Sequence, residues 1–198
     1  LSTSRNLYKH LEIGESVRIY IVYNLGQYNH LIHRMLRDLG IESKLIENTT
    51  PPEEIDADGL VIGGGPSIDR SGRSMDYVRN LDVPILGICL GHHIIAKAFG
   101  GEIGRGNIGG YAEVEVEIIE KDEIFDGFPD RIRVWASHMD EVKILPEDFE
   151  LLAKSSICSI EAMKHNKKPI FGIQWHPEVY HSQYGEEVYR NFIEICRK

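Results

Sequence analysis

No stretch of the 198-residue chain approaches the roughly 18 consecutive apolar residues that span a bilayer, so neither a membrane-spanning helix nor a membrane partner is expected. Cysteine is scarce. Cys89, Cys158 and Cys196 are odd in number, far apart and without a C-x-x-C pair, which excludes a disulfide framework or a zinc ribbon and fits the reducing cytoplasm. Positive charge is in deficit, with 22 Lys and Arg against 31 Asp and Glu and a net charge of −9. Binding to a nucleic-acid backbone depends on clustered cations that release counterions, so nucleic acid is not an expected partner. The opening LSTSRNLYKHLEIGES lacks the apolar core and cleavage site of a signal peptide and reads as a lead, residues 1–16, ahead of one domain over 17–198. Internal repeats, low-complexity segments and linkers are also missing. What remains is 42% hydrophobic and 27% charged, enough to bury a sheet between helices.

The first half alternates short apolar runs with helical patterns. VRIYIVY (17–23) is β-branched and aromatic and reads as a buried strand. From Asn29, the residues Leu31, Ile32, Met35, Leu36 and Leu39 recur at helical spacing, with Gly40 where a C-terminal cap belongs. Further strands are expected at 43–46, 59–62 and 84–88, with a helix over about 92–99. Such alternation predicts an α/β fold in which a mostly parallel central sheet is covered on both faces and functional groups gather at the carboxyl ends of its strands. The second half changes character. EVEVEII (113–119) has the period of a strand with one wet face, and 131–135, 159–164 and 169–175 are further strand candidates, adding a smaller antiparallel portion. A last helix is expected over about 186–195.

Three segments carry chemistry. Gly87-Ile88-Cys89-Leu90-Gly91 has the form G-x-C-x-G, the sulfur counterpart of the nucleophile elbow. A nucleophile on a sharp strand-to-helix turn sits at strained backbone angles and leaves no room for side chains two residues away on either side, and the helix that follows aims backbone amides at the sulfur. The same thiol alone would fit an ordinary buried cysteine. His176-Pro177-Glu178 follows the last strand candidate, where parallel alignment could bring His176 beside Cys89. Residues two apart in extended chain point to one side, so Glu178 can hold one imidazole nitrogen and leave the other for the thiol proton. Gly63-Gly64-Gly65-Pro66 is followed by no G-K-[ST], so it is a poor phosphate cradle. It fits either a tight turn or an oxyanion hole, in which unobstructed N–H groups of Gly64 and Gly65 work with that of Leu90. A metal site drawn from His92, His93, His138, His176, Glu178 and His181 is the competing reading, but H-x-E-x-x-H containing a proline is not the helical H-E-x-x-H pair.

Together GICLGHH (87–93), WHPE (175–178) and GGGPS (63–67) resemble the class I glutamine amidotransferases over nearly the whole chain. The resemblance implies a three-layer α/β/α fold, a Cys89-His176-Glu178 triad, a γ-glutamyl thioester, and hydrolysis of glutamine to glutamate and ammonia with no cofactor or metal on this chain. QYNHLIHRMLRDLGIE (27–42), WASHMDEV (135–142), LPEDFELLAKS (145–155) and HPEVYHSQYG (176–185) are similar to the glutaminase part of two-subunit GMP synthases. That likeness implies delivery of ammonia to a separate ATP pyrophosphatase subunit, which would hold Mg-ATP and convert XMP to GMP. It also implies that Ser137, His138 and Met139 line the glutamine pocket. One position departs from the pattern: G-x-C-x-G-x-Q has glutamine where this chain has His93, whose imidazole offers fewer donors in another shape. A glutaminase component of an anthranilate or aminodeoxychorismate synthase, and a non-catalytic regulatory protein that keeps the fold, are the alternatives.

Overall fold

Both faces of the four inner parallel strands carry apolar residues, which divide between two cores, whereas the outermost parallel strand is largely exposed. The structure, a computed structural model, describes residues 17–198, with 107–112 as backbone only; the lead at 1–16 lies outside the described residues. The elements run β1 (Arg18–Tyr23), α1 (Asn29–Asp38), β2 (Glu42–Glu47), β3 (Gly59–Ile62), α2 (Ser74–Asn80), β4 (Ile85–Ile88), α3 (Leu90–Ala98), β5 (Glu102–Ile118), β6 (Arg131–Ile144), β7 (Phe149–Ser155), β8 (Ala162–His165), β9 (Ile170–Ile173) and α4 (Gly185–Cys196). Ile19, Ile21, Val61, Leu86, Ile88, Phe171 and Ile173 join α1 and α4 in one core. Val22, Leu60, Ile62, Ile85 and Ile170 face the other way and join α2 and α3. The period of two thus sorts side chains to opposite faces, and a helix pair covers each, giving the expected three layers. Fully buried Ile32, Leu36 and Phe192 anchor α1 and α4, each contributing about 1.5–3 kcal/mol by leaving water.

The nine-stranded sheet has the order β2-β1-β3-β4-β9-β8-β7-β5-β6. Strands β2, β1, β3, β4 and β9 are mutually parallel, and β8, β7, β5 and β6 extend them in antiparallel fashion. From β1 the chain first steps outward to β2 and then crosses to β3 on the other side, so β1 and β3 flank a topological switch point. The turns after β1, β3, β4 and β9 therefore open at one end of the sheet.

Several elements differ from the pattern-based expectation. Helix α3 starts at Leu90, two residues before the expected start, because the chain turns directly out of Cys89. Strands β5 and β6 are much longer than 113–119 and 131–135; glycines and a register shift between Arg105 and Gly110 hide the alternation of β5. Strand β7 and the short helix α2 carry no clear period and are not among the expected elements. Gly40 takes φ +77° at the end of α1, as its capping role requires. Among the described residues, no helix is long and apolar enough to cross a membrane.

Candidate active site

Cys89 sits between β4 and α3 at φ 54° and ψ −102°, a region that a non-glycine residue enters only under strain. The flanking glycines permit it. A Cβ on Gly87 would come within 2.5 Å of the Ile95 side chain and the Gly91 carbonyl, and one on Gly91 would overlap the carbonyl oxygen of Ile62 on β3. The latter obstacle is backbone within the central sheet, which has nowhere to move. Gly91→Ala is accordingly expected to cost about 2–3 kcal/mol through overpacking, visible as a lower thermal unfolding midpoint even where some activity survives. The Cys89 thiol, 7% exposed, opens on two cavities and donates to the Ser137 carbonyl at 3.7 Å.

His176 comes from the turn after β9, the strand that pairs with β4 in parallel, and this pairing brings it against Cys89. Its Nδ1 donates to Glu178 Oε1 at 2.7 Å, with both side chains buried. The backbone around it is held firmly: the His176 N–H donates to the Trp135 carbonyl, and Ser182 donates its hydroxyl to the His176 carbonyl at 2.7 Å. Tyr28 packs on the ring edge-to-face at 4.8 Å. Burial is the largest single influence on the imidazole and disfavours its charge. The Glu178 carboxylate and Cys89 together outweigh it, so the imidazolium persists well above the ordinary histidine range. Fully buried Tyr189 on α4 flanks Glu178, and burial first and that carboxylate second push its phenol well up.

The Gly63–Pro66 loop lies across the site. A Cβ on Gly64 would stand 3.2 Å from His176 Cε1 and 3.8 Å from Cys89 Cβ, so its peptide borders these two side chains directly. Among the described residues, the N–H groups of Gly64, Gly65 and Leu90 make no backbone hydrogen bond, which leaves them available to an anionic oxygen.

On the other side of the thiol, a cavity of about 790 Å³ is lined by Cys89, Leu90, Gly65, His93, Ser137, His138, Met139, Asp140 and Arg105, among others. Every expected pocket residue is there, with Met139 half exposed at the rim. His138 donates Nδ1–H to the Asp140 carbonyl at 3.0 Å, leaving Nε2 as an acceptor with no protein partner among the described residues. His93 Nε2 bonds Gln174 Oε1 at 2.8 Å and therefore carries the proton. Burial pulls both imidazoles down, so both are neutral near pH 7. His92 departs from the cluster drawn for a metal: it is fully buried, bonds the Ile160 carbonyl at 3.2 Å and belongs to the core beneath α3. His181 packs against Trp135 instead, with the two rings tilted at 39°. Among the described residues, no three His, Cys, Asp or Glu gather as metal ligands.

The family model for the class I glutamine amidotransferases matches residues 20–196. This chain belongs to that family. The glutamine-hydrolyzing GMP synthase subunit of Archaeoglobus fulgidus is 67% identical over 183 residues, covering 92% of this amidotransferase and all of that protein. Its namesake from Methanothrix thermoacetophila is 55% identical over 182 residues, with 92% and 100% covered. Among solved structures, a candidate GMP synthase component from Thermoplasma acidophilum superimposes with a TM-score of 0.88 at 39% identity, over 91% of this chain and 94% of that one. A Thermotoga maritima glutamine amidotransferase shares the fold, with a TM-score of 0.70 at 23% identity over 90% and 81% of the two chains.

Pattern reasoning on this amidotransferase misses Asn29, Gln174 and Ser182. Each acts across the fold: Asn29 on Gly64, Gln174 on His93 and Ser182 on the backbone of Trp135 and His176. The nearest sequence signal is proximity, since Gln174 and Ser182 flank the His176-Pro177-Glu178 turn.

Proposed function

We propose that this chain hydrolyses glutamine to glutamate and ammonia and supplies the ammonia to a separate ATP pyrophosphatase subunit, which converts XMP to GMP. The chemistry rests on one observation above all: Cys89, His176 and Glu178 meet in line at the ends of β4 and β9 beneath the Gly64–Gly65 loop. The choice of product is supported by high identity, over their full lengths, to proteins named as the glutamine-hydrolyzing subunit of GMP synthase.

The reaction is an acyl transfer from nitrogen to sulfur and then to water, assisted by proton transfers. The Cys89 sulfur, its proton passed to His176, attacks the side-chain carboxamide carbon of glutamine. The oxygen of the tetrahedral intermediate is received by the N–H groups of Gly65 and Leu90, with Gly64 beside them. The C–N bond breaks as His176 gives its proton to the departing nitrogen, releasing ammonia and leaving a γ-glutamyl thioester on Cys89. Water then attacks the thioester with His176 as base, and the sulfur leaves with glutamate as product. Throughout, Glu178 fixes the imidazole orientation and favours its charged form.

The substrate's α-amino and α-carboxylate ends extend into the 790 Å³ cavity. There, Ser137, His138 and Met139 offer backbone groups, His138 Nε2 offers an acceptor and His93 occupies the position of the family glutamine. Acyl transfer through the thiol with proton transfers by His176 requires no cofactor on this chain, and Mg-ATP belongs to the partner. Three unpaired cysteines and a thiol nucleophile suit the cytoplasm.

Reconstitution tests the assignment. The chain combined with its ATP pyrophosphatase partner, XMP and Mg-ATP is expected to give glutamine-dependent GMP. Failure to form GMP, together with co-purification with a chorismate-binding protein, would redirect the ammonia to a different product.

A further inference from the structure

We infer that Asn29 is a positioning residue for the oxyanion hole, clamping the Gly64–Gly65 peptide so that its N–H faces the reacting carbonyl. The inference rests on the oxyanion role proposed above for that loop. Asn29 is the first residue of α1, 2% exposed, and its carboxamide lies between the β1–α1 turn and the loop after β3. Nδ2 donates to the Gly26 carbonyl at 3.2 Å and to the Gly64 carbonyl at 3.1 Å. Two carbonyl oxygens can be satisfied together only by the NH₂ end of the side chain, so this pair of acceptors fixes which way the amide points. Oδ1 then has no hydrogen-bond partner among the described residues and lies against Gly63, where any Cβ would fall on it.

The consequence for catalysis follows from peptide geometry. In a trans peptide the C=O and the N–H of the next residue point in opposite directions. Holding the Gly64 oxygen toward α1 therefore turns the Gly65 N–H away from α1, on the side where Gly65 and Cys89 line the same two cavities. A Gly–Gly peptide has little intrinsic preference and needs such a clamp, because neither residue has a Cβ to restrict its rotation. The preceding carbonyl is treated likewise: Asn24 reaches the Gly63 oxygen at 3.4 Å while its own Oδ1 accepts from Asn48 and Ser74. Asn29 acts on the very peptide whose N–H serves the oxyanion, and it does so without touching substrate.

The test uses the chain in complex with its synthetase partner and the variants Asn29→Ala and Asn29→Asp, the second of which keeps the side-chain shape and removes both donors. Glutamine hydrolysis is expected to lose about 10- to 100-fold in kcat, less than the full loss of an oxyanion donor because Leu90 remains. KM and inhibition by the product glutamate should stay within about threefold. Alkylation of Cys89 by iodoacetamide, which builds no oxyanion, should stay within about twofold, a pattern that general loosening of the site would not give. An unchanged kcat in either folded variant would overturn the inference. So would a parallel fall in alkylation and glutamate binding, or loss of the fold in both variants, since each marks a purely structural asparagine. Failure of the underlying reading looks different: the unmodified complex would then neither turn over glutamine nor accept a glutamine-like diazoketone on Cys89.

Discussion

Cys89→Ala is expected to abolish glutamine-dependent GMP formation, with hydrolysis falling at least about 10⁴-fold, while the complex keeps its rate with added ammonia within about twofold. The asymmetry follows from the division of labour. Only a thiol can form the γ-glutamyl thioester, and neither of the other cysteines, Cys158 and Cys196, lines the two cavities beside Cys89. Ammonia supplied from solution bypasses this chain and asks nothing of the triad. Alanine also leaves the fold in place: the residue remains a Cβ-bearing side chain at φ 54°, so the backbone strain is unchanged, and the lost sulfur, although at the edge of the core, borders two cavities. The thermal midpoint should hold within a degree or two, separating chemical loss from unfolding. Equal glutamine-dependent rates with and without the thiol would remove Cys89 from the mechanism altogether.

What the sequence made legible was governed by how local the cause is. The elbow could be read because its steric demand falls within five residues: Gly87 and Gly91 must both be bare, and the structure puts the Ile62 carbonyl and the Ile95 side chain where their Cβ atoms would go. His176 and Glu178 could be read as a pair because they lie two residues apart at a strand end, but the geometry differs from the extended chain expected: residues 176–179 form a turn closed by the Val179 N–H on the His176 carbonyl, and parallel pairing of β4 with β9 sets the turn beside Cys89. Strand β5 was only partly legible. Its wet-faced half, 113–118, alternates clearly, whereas Gly104, Gly106, Gly109 and Gly110 erase the alternation over the rest, which is held by pairing with β6 instead. Helix α2 is seven residues long, too short to display a period, and is held by burial of Tyr77 and Val78 beside α3.

Contacts across the fold could not be read from the chain at all. His93 stands out as a departure from the family pattern, yet nothing nearby in sequence says what it does. The structure answers with Gln174, 81 positions away, whose Oε1 fixes the proton on His93 Nε2. An amide oxygen is thus present beside the pocket, but it comes from the end of β9 and is spent on the imidazole. Asn29 and Gly64 are 35 positions apart in the same sense, linked only once β1 and β3 lie side by side. Local pattern fixes which groups do chemistry; strand order fixes which groups hold them.

Glu178→Gln is expected to lower kcat/KM for glutamine about 10²- to 10⁴-fold at neutral pH and to move the alkaline limb of its pH profile to lower pH. The amide keeps the shape of the carboxylate and can still accept from His176 Nδ1 through its oxygen, so the imidazole stays near its present orientation. What changes is charge. In the native site, burial pulls the His176 imidazolium down, and the Glu178 anion together with Cys89 raises it well above the ordinary histidine range. With the anion gone, burial opposes a smaller attraction, and the imidazolium loses its proton at lower pH. The form able to give a proton to the leaving nitrogen is present below the imidazolium pKa and is lost as pH rises through it, so the usable window contracts from its alkaline side. Part of the lost rate should return when the variant is assayed at lower pH, where the imidazolium is restored. A uniform loss at every pH would instead mean that Glu178 acts only by holding the ring in place. An unchanged rate would exclude it from the triad.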